Sequence, residues 1–157
     1  LKERDEFLLR MAIILYQIGK YVNLLGSSIQ AWSMVKGTDI FGISDKEKDI
    51  VACIVYYDHK GMPSDDDEPF RILSDESKMT ALKLIAIFRL VRAMDMSRKQ
   101  KLKDVSARIV KDCLLIEYES DENTALETWL FDKEKEFFEN IFGMETKLGR
   151  GLLWTWT

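Results

Sequence analysis

The spacing of apolar residues changes close to Lys103, and that change limits the folds open to this chain. Before Lys103, apolar residues recur at intervals of three and four, which is the period of an amphipathic helix. After it, apolar and polar residues alternate from Val105 to Ile109, which is the period of a half-buried strand. The sequence therefore predicts a mainly α-helical domain over residues 1–103, followed by a small α+β unit with antiparallel strands over residues 104–157.

Capping and turn residues divide both parts into elements. Ser44 and Glu47 form a capping-box pattern, in which the hydroxyl and the carboxylate satisfy backbone N–H groups at a helix start. Gly37 and Gly143 are placed to end helices. The segments predicted as helices are 5–22, 27–35, 44–61, 75–94 and 132–143, and those predicted as strands are 105–109, 114–118, 125–131 and 144–148. The acidic run Asp65–Glu68 predicts a solvated loop.

Two of the predicted helices differ in how much of their surface is apolar. The helix 75–94 is apolar nearly all round, which predicts a central, buried helix. The first helix has a single apolar stripe, which predicts one buried face. That stripe consists of Phe7, Leu8, Met11, Ile14, Leu15 and Ile18.

The overall charge and the cysteines limit the compartment and the partners. The formal net charge is −4 and the pI is near 5.2, which does not favour nucleic acid or an anionic membrane as a partner. Cys53 and Cys113 are isolated from each other, which is typical of reduced thiols in a cytosolic protein. No apolar run reaches the ~18 residues of a membrane span, and no secretory signal is present. We expect a cytoplasmic protein that binds neither nucleic acid nor membranes.

A co-linear series of short segments resembles a known family. Leu15–Lys20 reads Leu-Tyr-Gln-Ile-Gly-Lys and resembles the Leu-His-Asp-Ile-Gly-Lys signature of HD-domain phosphohydrolases, with the metal-binding His-Asp pair replaced. Further segments follow in order at 26, 33, 42–47, 54–57 and 84–97, and a charged aromatic helix closes the series at 131–147. This order is similar to the C-terminal region of the exopolyphosphatase/guanosine pentaphosphate phosphohydrolase family, and the likeness covers nearly the whole chain.

The resemblance implies an accessory role. It implies a degenerate HD-like helical domain, lacking its first helix, beside a small terminal module. The catalytic residues, Mg²⁺ and nucleophile activation would belong to N-terminal actin-like ATPase-fold domains of the same parent protein. This region would need no cofactor and would not be catalytic alone. It would help to bind polyphosphate or guanosine pentaphosphate and to form a homodimer.

Of the positions that match the metal site of HD enzymes, Asp95 alone keeps a ligand type. These positions are Tyr16, Gln17, Ser28, Gln30, Asp58 and Asp95. A phenol, an amide and a hydroxyl lack the charge that holds a transition metal, so we predict no metal here and a buried polar pair at Tyr16 and Gln17. The single histidine, His59, lies one residue beyond the matching position.

Cations in the helical part are candidates for binding phosphate. They are Lys20, His59, Lys60, Arg89, Arg92, Arg98 and Lys99. Arg89 and Arg92 share one helix face, and guanidinium groups bind phosphate in a bidentate manner. The alternative is that these cations form salt bridges to nearby carboxylates, or that His59 and Lys60 face a helix C-terminus.

Two other functions stay open from the sequence. One is a regulatory or protein-interaction module on the degenerate fold, which predicts an exposed apolar face without a basic stripe. The other is a residual metal-dependent HD phosphohydrolase that uses Asp58 and Asp95, which requires a bound metal.

Overall fold

The computed structural model describes residues 2–22, 28–58 and 60–151, with the backbone alone for residues 19–22. Helices make up most of the described chain before Lys103, and three strands and one helix follow. The elements are α1 (Glu3–Val22), α2 (Ser28–Gly37), α3 (Asp45–Tyr56), α4 (Glu68–Arg71), α5 (Asp75–Met94), β1 (Lys103–Val110), β2 (Cys113–Glu119), α6 (Ala125–Phe142) and β3 (Glu145–Arg150). The predicted class, a helical unit followed by a small α+β unit, is confirmed.

Packing divides the chain into two compact units, Leu1–Phe88 and Arg89–Thr157. The division falls inside α5, whereas the sequence placed the domain boundary at 103/104. The boundary at 103/104 stays a prediction.

In the first unit, α3 is the most buried element, with every residue from Ile50 to Tyr56 buried. Its predicted capping box is confirmed. The Ser44 Oγ accepts a hydrogen bond from the Glu47 backbone N–H at 3.4 Å, and the Ser44 N–H donates to Glu47 Oε2 at 2.8 Å. Because α1 and α2 both pack against α3, this helix is the centre of the unit. The predicted N-cap Ser27 lies outside the described residues.

The apolar stripe predicted on α1 is buried only in part. Leu8 and Ala12 are fully buried, but Phe7, Ile14 and Ile18 are exposed. The apolar residues of α1 cover a wider arc than its neighbours α2 and α3 occlude, so the prediction of one buried face is wrong for these three residues.

Asp67, in the run predicted as a solvated acidic loop, belongs to a hydrogen-bonded network. Asp67 accepts from the phenols of Tyr56 at 3.1 Å and Tyr57 at 2.8 Å, and α4 begins at the next residue. Tyr57 is fully buried, and burial together with Asp67 raises the pKa of its phenol. Asp67 is in the loop as predicted but is half-buried rather than solvated, because its carboxylate accepts from two phenols. The loop prediction is wrong for Glu68, which begins α4.

In the second unit, β1 and β2 form an antiparallel hairpin closed by a two-residue turn. Lys111 and Asp112 have left-handed backbones, with φ of 48° and 60°, as a type I′ turn requires. β3 lies on the other side of β2 and runs parallel to it, so the sheet is mixed and the prediction of antiparallel strands is wrong for β3.

The parallel pairing of β2 and β3 is explained by a second difference from the prediction, at residues 125–131. Residues 125–131, predicted as a strand, form the first two turns of α6. Glu127, Phe131 and Phe138 are buried at helical spacing, so a seven-residue alternation was too short to separate the two periods. A helix of this length is the usual crossover between parallel neighbours, and the predicted cap Asp132 lies inside it.

Candidate functional site

The vestigial metal-site positions on α1 and α2 are not a buried polar set. Tyr16 is half-buried, and its ring packs edge-on against Phe88 with the ring centroids 5.3 Å apart. Gln17 is exposed, so the prediction of a buried pair is wrong for it. On α2, Ser28 is half-buried and Gln30 is exposed.

The two aspartates lie in different surroundings. Asp58 is buried in the first unit, directly after α3, whereas Asp95 is exposed in the second unit and its Oδ1 accepts the Gln100 backbone N–H at 2.9 Å. Among the described residues, no group of three or more His, Cys, Asp or Glu side chains is placed to hold a metal ion. The donors described at these positions do not fit a tightly held divalent metal.

Arg89 and Arg92 face a shared carboxylate. Arg89 lies 2.6 Å from Glu134 Oε2 and Arg92 lies 3.4 Å from Glu134 Oε1, and the arginine side chains are only 14% and 11% exposed. The Arg89 guanidinium also lies over the Phe137 ring, 5.3 Å from its centroid. Arg89 and Arg92 therefore form the salt bridges that are the alternative to phosphate binding. A phosphate that bound these arginines would have to displace Glu134.

The other candidates on the first unit are placed as follows. Lys60 donates to the Tyr56 phenol and lies 3.3 Å from Asp67 Oδ1. The hydrogen bond to Tyr56 is the main cause that raises the pKa of Lys60. The side chain of Lys20 and the whole of His59 lie outside the described residues.

Arg98 and Lys99 differ from the other candidates. Both are exposed, and within the described chain neither forms an ion pair. They belong to the segment Arg98–Lys103, here called the basic loop, which connects α5 to β1 and carries four cations in six residues.

The basic loop is held in one conformation at its base. Asp95 accepts twice: its backbone oxygen from the Arg98 N–H at 3.0 Å and its Oδ1 from the Gln100 N–H at 2.9 Å. Arg98 and Gln100 have left-handed backbones, with φ of 55° and 50°. Residues without a glycine's freedom adopt this region only where surrounding contacts impose it.

A buried ion pair fixes the far end of the basic loop. The Lys101 ammonium donates to the Asn123 backbone oxygen at 2.9 Å and lies 3.2 Å from Oε2 of Glu127, whose side chain is 1% exposed. Burial raises the pKa of Glu127, but the donors around the carboxylate, Lys101 among them, outweigh it and leave the pKa lowered. Sequence reasoning missed both residues. The high density of cations at 98–103 could have drawn attention to Lys101. No feature of the sequence near Glu127 identifies it as the partner of Lys101.

A groove of about 740 Å³ in the first unit gathers further cations. It is lined by the N-terminal ends of α1, α3 and α5, with Lys46 and Lys83 among its side chains. Arg4 also lines it but is neutralised by Glu47, to which it donates at 2.6 and 2.9 Å. Three carboxylates share the groove, so its net charge is lower than that of the basic loop.

No helix among the described residues is long and apolar enough to span a membrane. The chain matches the family described as Ppx/GppA phosphatase, domain III, over residues 1–136. The comparison with curated proteins gives no match.

Proposed function

We propose that this chain, which belongs to the Ppx/GppA phosphatase family, is an accessory region that binds the phosphate groups of an exopolyphosphatase-type substrate through its basic loop. The substrate class is polyphosphate or guanosine pentaphosphate. Hydrolysis, with its Mg²⁺, would be carried out by actin-like ATPase-fold domains of the parent protein. The cytoplasm remains the proposed compartment.

The observation that carries this proposal is that Arg98 and Lys99 form no ion pair with any residue that the structure describes. A guanidinium and an ammonium without carboxylate partners can bind an anion without breaking an existing ion pair. Their loop is anchored at Asp95 and at Glu127, so little ordering entropy opposes binding.

Arg89 and Arg92 were candidates for the same role from the sequence, beside the salt-bridge alternative, and phosphate binding by them stays a prediction. Their contacts to Glu134 are largely shielded from water. Removing both arginines would leave the Glu134 carboxylate without its two ion-pair partners, and such a change alters stability as well as binding. A test that changes Arg89 and Arg92 would therefore confuse the two effects.

The experiment is a titration of this chain with long-chain inorganic polyphosphate at about 50 mM and about 200 mM salt. The wild type is compared with Arg98→Ala/Lys99→Ala. We expect the double variant to bind at least about tenfold more weakly at low salt, which corresponds to ~1.4 kcal/mol. Its affinity should also depend less on salt, because fewer counterions are released.

The matched control is Lys46→Ala/Lys83→Ala, which removes the same charge from the groove of the first unit. Binding that weakens equally in both variants would mean that only net charge matters, and it would overturn the basic loop as the site. Absence of wild-type binding at low salt would have the same consequence. A parallel titration with guanosine pentaphosphate compares the two substrates.

A second candidate function is that of a protein-interaction module. The observation that favours it is the exposed apolar side of α1, where Ile14 and Ile18 are 52% and 49% exposed. Such a face is suited to docking the family's N-terminal domains or another protein. The third possibility from the sequence, a residual metal-dependent phosphohydrolase, gains no support from the described residues.

A further inference from the structure

Asp95 lies where its charge is unfavourable in two ways. It follows Met94, the last residue of α5, and a carboxylate at a helix C-terminus faces the negative end of the helix dipole. It also precedes Arg98, the first residue of the basic loop, by only three positions, and its charge repels any anion that binds there. Asp95 is exposed and forms no ion pair within the described chain that would offset either effect.

The contacts that Asp95 does make are hydrogen bonds to the basic loop. Its Oδ1 accepts from the Gln100 backbone N–H at 2.9 Å, and its backbone oxygen accepts from the Arg98 N–H at 3.0 Å. Lys99 lies between the two donors in sequence, so Asp95 holds the backbone on both sides of it. Any residue at position 95 can supply the backbone oxygen, whereas the bond to Gln100 requires a side-chain acceptor.

The two donor residues have a backbone conformation that side chains disfavour. The value of φ is 55° at Arg98 and 50° at Gln100, in the left-handed region. Neither residue is a glycine or an asparagine, so the sequence of the loop does not favour this conformation by itself. The ion pair of Lys101 with Glu127 fixes the far end of the loop. The near end therefore depends on the hydrogen bonds to Asp95.

We propose that Asp95 is a positioning residue for phosphate binding by the basic loop. Its Oδ1 fixes the backbone at Gln100 and so keeps the segment that carries Arg98 and Lys99 in one arrangement before an anion binds. This inference rests on the function proposed above. Preordering favours binding because the entropy of ordering the loop is then lost on folding and not on association. The role belongs to the oxygen acceptor of Asp95, since its charge opposes an anion.

Charge and hydrogen bonding make different predictions for this position. If only charge matters, Asp95→Asn and Asp95→Ala strengthen polyanion binding equally, because both remove one negative charge. If the acceptor matters, the two variants differ. The amide oxygen of asparagine can still accept from the Gln100 N–H, and alanine has no side-chain acceptor. A comparison at equal net charge therefore isolates the hydrogen bond.

The test is a titration of wild type, Asp95→Asn and Asp95→Ala with long-chain polyphosphate at about 50 mM salt. We expect Asp95→Asn to bind at least as tightly as the wild type, since it keeps the acceptor and loses a repulsive charge. We expect Asp95→Ala to bind about fivefold more weakly than Asp95→Asn. Equal affinities of the two variants overturn the proposal and leave the basic loop as the site. Absence of binding by the wild type overturns the proposed function and this role together.

Asp121 provides a matched control pair. Its carboxylate is 96% exposed and lies 3.9 Å from the ammonium of Lys103, the last residue of the basic loop. Within the described chain it accepts no hydrogen bond from the loop backbone. Asp121→Asn and Asp121→Ala should therefore bind polyphosphate equally. A difference between them as large as the difference at position 95 would overturn the assignment to the hydrogen bond of Asp95.

Limited digestion with trypsin measures the order of the loop without a ligand. Trypsin cleaves after arginine and lysine, and Arg98 and Lys99 are both exposed. We expect cleavage after these residues to be about fivefold faster in Asp95→Ala than in Asp95→Asn, which should resemble the wild type. Mass spectrometry locates the cleavage, and circular dichroism establishes that each variant is folded. Cleavage of Asp95→Ala at the wild-type rate overturns the proposal, whatever its affinity for polyphosphate.

Discussion

At the scale of single residues, the cations of the described chain differ in whether they form an ion pair with a carboxylate that is distant in sequence. Arg89 has Glu134 forty-five positions away, and Lys101 has Glu127 twenty-six positions away. Arg98 and Lys99, which lie between Arg89 and Lys101 in sequence, form no ion pair among the described residues. This difference decides which cations can bind a ligand without breaking an ion pair. It depends on contacts between residues far apart in sequence, which a local sequence pattern does not reveal.

Lys101 is expected to be a strong determinant of stability. Lys101→Met leaves the buried Glu127 carboxylate without its ion-pair partner, which we expect to lower the free energy of unfolding by about 3 kcal/mol. The measurement is urea unfolding followed by circular dichroism. Lys101→Met/Glu127→Leu should recover most of the loss, because the unpaired charge is gone. Additive losses in the double variant would contradict this account.

Glu47 makes stability depend on pH. Its hydrogen bond with Arg4, followed by the one from the Ser44 backbone, lowers the pKa of Glu47 to about 2. Because the folded pKa lies below the unfolded value of 4.5, the stabilisation is complete above about pH 5 and is lost as the pH falls towards 2.

Glu47→Gln should therefore cost about 1 kcal/mol at pH 7 and flatten the decline in stability between pH 5 and 2. Chemical unfolding at several pH values measures both effects. Asp45→Asn, on the same helical turn but with an almost fully exposed carboxylate, is the control and should leave the decline unchanged. An equal flattening in the control would contradict the assignment to Glu47.

At the scale of elements, the apolar periodicity of α1 does not predict which of its apolar residues are buried. The residue spacing identified the helix, but the stripe assigned to it was too wide: Leu8 and Ile14 are six residues apart, about 120° around the helix, and only Leu8 is buried. Which part of a wide apolar arc is buried depends on the size and placement of the neighbouring helices.

Ile14→Ser/Ile18→Ser tests the exposed side of α1. We expect the melting temperature to fall by no more than about 3 °C, because little apolar area is lost from the core. Leu8→Ser, on the buried side, should lower it by about three times as much, since it opens a cavity and buries a hydroxyl. Thermal unfolding by circular dichroism compares them. A loss in the double variant as large as that of Leu8→Ser would contradict a free docking face.

The sheet shows the same contrast between local and tertiary information. The β1–β2 hairpin was predictable because its turn and its two alternating runs are adjacent in sequence. The direction of β3 was not, because it depends on α6 being a crossover helix, and the first seven residues of α6 alternate in a way that also suits a strand.

At the scale of the whole molecule, an acidic chain with a formal net charge of −4 offers a polyanion only a local site. The proposed basic loop is such a site, because its cations are concentrated and its two anchors are internal to one unit. The salt dependence in the polyphosphate titration is the expected sign of this arrangement, since the attraction is short-ranged and screened.

The sequence by itself determined the class of the fold, the family, the bounds of α1 and α5 to within two residues, the start of α3 and the hairpin. These depend on capping residues, turn residues and periods that act over a few positions, and the family's segments recur in order. Only the tertiary structure decided which cations are paired, which side of α1 is exposed, that residues 125–131 are helical and that β1 is an edge strand of the described sheet. Each of these depends on side chains or strands that the chain brings together from distant positions, where geometry rather than local preference sets the energy.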